Sequence, residues 1–77
     1  MNKARRKELH EAVDLLYKAL SIIDSVKEGE EEAYDNLPES FQYSEKGETM
    51  QEHIDTLDDA YGQVEDLTTI LEEIVGI

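Results

Sequence analysis

The chain of 77 residues has no cysteine and no tryptophan, and it has only one proline (Pro38) and one phenylalanine (Phe41). Without cysteine, disulfides and thiolate metal sites are excluded, and nothing marks the compartment as oxidising. No apolar run approaches the roughly 20 residues needed to span a bilayer. The basic start MNKARRKELHEAV leads straight into helix-like charge, with no apolar stretch of the signal-peptide kind. A soluble, cytoplasmic protein is expected, with no contact to membrane. Gly-rich phosphate loops, strand-like alternation and internal repeats are also missing.

Positive charge is the other scarcity. Seven Lys and Arg stand against twenty Asp and Glu, for a net charge of -13. Lys3, Arg5, Arg6 and Lys7 all precede the first acidic residue, whereas from Glu28 onward sixteen carboxylates face Lys46 alone. Such a field repels nucleic-acid polymers and anionic lipid over most of the surface and draws in basic protein surfaces at low salt. High charge also accompanies disorder, but 39% apolar residues at regular spacing argue for a folded chain.

The apolar residues fall into two stripes. Leu9, Val13, Leu16, Leu20 and Ile23 recur at alternating steps of four and three, with Ala12, Ala19 and Val26 on the same side, and Met50, Ile54, Leu57, Tyr61, Val64, Leu67, Leu71 and Ile74 recur at steps of three or four. Each stripe marks one face of an α-helix. Ser44, followed by Glu45 and Glu48, reads as a helix start, and Gly76 fits a stop. Pro38 cannot continue a helix and opens a short turn, PESF. Gly29 costs about 1 kcal/mol inside a helix, and Gly62, beside Tyr61, suggests a place where another backbone comes close. The fold class expected is all-α: an antiparallel hairpin of two long helices, about residues 3–35 and 45–75, joined by a Pro-containing turn. Two helices share only one seam, so a homodimer forming a four-helix bundle is expected to cover the remaining apolar surface.

Candidate chemistry is sparse. His10 and Asp14 share a helix face at i, i+4, and His53 stands alone; no Glu-x-x-His pair or nucleophile–base spacing occurs, so neither a metal, a cofactor nor catalysis is expected. The acidic face carries more. Glu48, Glu52, Asp55, Asp59, Asp66 and Glu73 form one stripe opposite the apolar face, and between Glu48 and the end there are nine carboxylates and no Lys or Arg. Exposed helices usually intersperse both signs, because like charges at i, i+4 repel by a few tenths of a kcal/mol. This row, spaced roughly 5–6 Å per turn, resembles a file of DNA phosphates and suits a basic groove, although acidic faces also serve plain solubility. Arg5, Arg6 and Lys7 are candidates for anion binding or for pairing with a neighbouring subunit. Tyr34, Phe41 and Tyr43 flank the turn, where with Leu37 they either close the end of the bundle or anchor a partner.

The run EEAYDNLPESFQYSEKGETMQEHIDTLDDAYGQVED resembles a family of small acidic proteins encoded by bacteriophages and prophages of Firmicutes. The likeness lies in the basic helical start, the D-N-L-P-E-S turn, the Ser-Glu-basic-Gly segment and the acidic helix, and is most specific from Glu32 to Gly47. The resemblance carries over no functional residue. It implies a small phage accessory protein of the kind that blocks a host enzyme or defence system. On residues and resemblance together, a non-enzymatic protein that binds a basic host protein through its acidic helix is the leading expectation. The alternatives are an oligomeric sponge for a small anionic nucleotide, using the Arg/Lys cluster, and a structural role in the virion or its assembly.

Overall fold

Asn2 starts the first helix. Its backbone is extended and its side-chain oxygen accepts the Arg5 amide at 2.8 Å, satisfying one of the donors that a helix start leaves unpaired. From there α1 runs without interruption over Lys3–Asp35, through Gly29. A computed structural model describes residues 1–76. Its remaining elements are the single turn α2, Glu39–Gln42, and the long helix α3, Glu45–Val75. No strand occurs among the described residues. Ser44 caps α3 through the Gly47 amide at 3.4 Å, and Gly76 closes it in the left-handed conformation at φ 80°. Pro38 takes the position before α2, where its missing amide goes unneeded, and its carbonyl accepts from Phe41 and Gln42.

The helices pack antiparallel into a rod of 58 × 14 × 14 Å. No described helix is long and apolar enough to cross a membrane. Among the described residues the buried apolar side chains are Val13, Leu20 and Ile54; Thr68 is buried as well, and Gly47 is buried against the backbone of α2. Leu9, Leu16, Ile23, Met50, Leu57, Tyr61, Val64 and Leu71 are half-buried. Thr68 satisfies its hydroxyl by donating to the Val64 carbonyl of its own helix at 2.7 Å, so it behaves as a small apolar filler.

Several expectations from the apolar stripes are corrected here. Val26, Leu67 and Ile74 belong to the apolar stripes, yet all are about half exposed. A single partner helix covers only the centre of each broad apolar arc. Gly62 was expected to admit a close backbone, but a Cβ built there would meet nothing within 4 Å. The close approach occurs instead at Gly47, where a Cβ would lie 2.2 Å from the Gln42 carbonyl oxygen and 2.6 Å from that of Phe41.

The two flanks of the seam differ. One carries the cross-helix polar links: Tyr17 donates to Glu72, and Lys27 bridges to Asp58 at 2.8 Å while reaching Glu31 at 3.6 Å. The other is apolar, and it includes a shallow groove lined by Val26, Glu30, His53, Thr56 and Leu57.

Candidate functional site

The nine carboxylates of α3 divide by position. Asp58, Glu65 and Glu72, spaced by seven, face the flank of α1 that holds Tyr17 and Lys27, and Asp58 and Glu72 bond to those side chains. Glu48, Glu52, Asp55, Asp59, Asp66 and Glu73 all point to solvent. Among the described residues none of these six takes part in an ion pair or a side-chain hydrogen bond. The stripe is therefore separate from the carboxylates that tie the hairpin together. With a rise of about 1.5 Å per residue, it extends roughly 38 Å along a single unbroken helix. The burial of Ile54 and the half-buried row of Leu57, Tyr61 and Val64 hold that helix against α1, which fixes the row outward.

The polar flank shifts two titrations. Tyr17 is held above the ordinary tyrosine range, chiefly because its hydroxyl donates to the Glu72 carboxylate, with some desolvation and the negative charges of Glu72 and Glu65 adding to the effect. Lys27 is raised as well, first through its hydrogen bond to Asp58, with desolvation opposing and the charges of Asp58 and Glu31 helping. Both groups are solvent-accessible, so these contacts align the helices more than they stabilise them.

At the open end of the hairpin, Lys3, Arg6 and Lys7 line an open hollow of about 460 Å³ with His10, Glu11 and Val75. Arg5 is exposed but does not line it. The expected grouping of Arg5, Arg6 and Lys7 is thus redrawn: Lys3 joins Arg6 and Lys7, because positions three and four apart share a face while Arg5 is turned away. His10 pairs with Asp14 at 3.4 Å, both exposed. Among the described residues no group of three or more His, Asp or Glu is placed to hold a metal ion.

Of the two roles expected for the turn aromatics, closing the bundle end or anchoring a partner, the exposure of Phe41 and Tyr43 speaks against the first. Tyr34 and Leu37 are half-buried, but Phe41 is 53% and Tyr43 77% exposed. Gln42 does the closing. Its side-chain amide donates to the carbonyl of Leu37 at 3.1 Å and to that of Tyr34 at 3.3 Å, which also accepts the Leu37 amide at 3.0 Å, and so ties the end of α1 to the turn. No sequence signal singles out this glutamine, since its partners are backbone atoms set by the turn geometry.

No family model, curated protein or solved structure matches the chain. The functional reading rests on the arrangement itself.

Proposed function

We propose that this protein is a non-enzymatic interaction module that binds a basic surface of another protein through the outward stripe Glu48, Glu52, Asp55, Asp59, Asp66 and Glu73. The observation that carries the reading is the separation of carboxylates on α3, six standing free in one row while Asp58 and Glu72 engage α1. A row held in place by a packed helix needs no ordering on binding, so little conformational entropy is lost when a basic groove closes on it. The unpaired like charges steer a cationic partner and make association salt-dependent. That the partner is a host protein and the outcome inhibition is what the resemblance of the turn region to small phage-encoded proteins implies, and is part of the proposal. In this reading the protein acts as a homodimer, because a hairpin with three buried apolar side chains has little core of its own. Captured partners should be released as salt is raised, and partners retained at high salt would count against the proposal.

A second reading is supported by the hollow at the open end, where Lys3, Arg6, Lys7 and His10 converge. Donors of that kind suit a small phosphate-bearing anion. A thermal shift with a nucleotide panel tests it: no shift, and no nucleotide carried through purification, would exclude it.

A further inference from the structure

We infer that the hairpin pairs with a second copy of itself through its apolar flank, head to tail, with the two-fold axis perpendicular to the rod. This rests on the self-association proposed above and is independent of what the acidic stripe binds. On α1, Leu15 (67% exposed), Ile22 (56%) and Val26 (52%) follow one another at steps of seven and four, with Ala19 between them. On α3, His53, Ala60, Leu67 and Ile74 recur every seventh residue, the last two 47% exposed. The groove lined by Val26 and His53 shows that these two rows border the same side of the seam. The opposite flank is occupied by Tyr17–Glu72 and Lys27–Asp58. The exposed apolar rows of both helices therefore lie on one side of the seam, with Glu30, His53 and Thr56 at the groove between them.

Size and charge select the occupant and its direction. The 58 × 14 Å footprint of the rod amounts to about 800 Å², close to the roughly 800 Å² that each partner contributes to a standard interface. At the open end, residues 1–14 and 70–77 carry four basic side chains against five carboxylates, Glu8, Glu11, Asp14, Glu72 and Glu73, a near balance. At the turn end, residues 28–52 carry nine carboxylates and Lys46. Aligning two copies in parallel would set turn end against turn end and concentrate like charge, which is costly; reversing one copy places each open end over the other's acidic turn. The apolar rows lie midway along the rod, around Ala19, so the reversed copies still overlay them. Helix α1 then packs on α1 and α3 on α3, the free acidic stripe of each copy remains open, and Ile74 of each faces the groove at Val26 and Leu57 of the other.

The absence of cysteine makes cross-linking a clean test. Within one hairpin Ala4 and Ala33 are about 43 Å apart on α1, but the head-to-tail dimer brings them together across the interface. Mixing A4C with A33C protein under oxidation should give the heterodimer, whereas mixing A33C with H53C should not. Cross-linking of the second pair instead of the first would overturn the orientation. Sedimentation equilibrium of the unmodified protein tests the premise: a monomer at all accessible concentrations overturns self-association as well. The double variant Ile22→Glu with Leu67→Glu should weaken dimerisation by about tenfold or more, since it would bury unpaired carboxylates, while circular dichroism still reports helix. An unchanged dimer in that variant would overturn the choice of face.

Discussion

The Cα of Gly47 rests against the backbone of Gln42, so close that a Cβ at Gly47 would stand 2.2 Å from the Gln42 carbonyl oxygen. No ordinary Cβ contact is this short, and the obstacle is backbone rather than a side chain that can swing away. Gly47→Ala should therefore push α2 off the start of α3 and destabilise the hairpin by roughly 1–3 kcal/mol. Gly29→Ala and Gly62→Ala meet open space inside helices and should each stabilise by about 0.5–1 kcal/mol. Urea melts of the three variants check the contrast, which reverses if Gly47 is replaceable and the other two are not.

Thr68 is 1% exposed and its hydroxyl is satisfied within its own helix. Thr68→Val keeps the shape and leaves no other group unpaired except the Val64 carbonyl, which retains its helical bond. The change should be neutral or mildly stabilising, within about 1 kcal/mol. Leu20→Ala, by contrast, opens a cavity among very few core residues and should cost about 2–5 kcal/mol. That loss is comparable with the whole stability of so small a domain, so circular dichroism should show it largely unfolded at room temperature.

The flank formed by Tyr17, Lys27 and their carboxylates predicts how stability responds to alkali. Both pKa values are raised in the folded chain. A group with a folded pKa above its unfolded value stabilises below the unfolded pKa and loses that contribution as pH rises through the folded one. The thermal midpoint should thus decline as pH climbs above about 10, the ordinary range of tyrosine and lysine. In Tyr17→Phe the decline should be shallower, and ultraviolet titration should lose the component that Tyr17 contributes above the ordinary tyrosine range. An identical pH profile in wild type and variant would mean that the Tyr17–Glu72 contact is absent in solution.

Much of this fold is legible in the residues. The three- and four-residue steps from Leu9 to Ile23 and from Met50 to Leu71 define both helices, while Ser44, Pro38 and Gly76 act where their chemistry places them. The outward acidic row follows from the same periodicity. Less legible is which part of a broad apolar arc the neighbouring helix covers, and so the exposure of Val26, Leu67 and Ile74 does not follow from the stripes. A one-dimensional pattern gives the width of the arc, whereas coverage depends on how the two helices are rotated about their axes. The role of the turn aromatics is illegible for a related reason. Phe41 and Tyr43 are large enough to form a plug, yet hydrogen bonds from Gln42 to two carbonyls and the close approach at Gly47 set the path of the chain and leave both aromatics outside.

The separation of free from engaged carboxylates on α3 is tested most directly by neutralising the free row alone. A variant carrying E48Q, E52Q, D55N, D59N, D66N and E73Q retains Asp58, Glu65 and Glu72 and should fold at least as well as the parent, since like-charge repulsion along the helix is relieved. Wild-type and variant protein, immobilised in equal amounts, would be exposed to cell lysate at low salt and eluted with a rising gradient. Charges more than about 10 Å apart are screened at 0.1 M salt and beyond about 3 Å at 1 M. The expected result is a basic protein captured by the wild type, released along the gradient, and absent from the variant. Equal capture by both, or retention on the wild type to the end of the gradient, would contradict the acidic stripe as the binding surface.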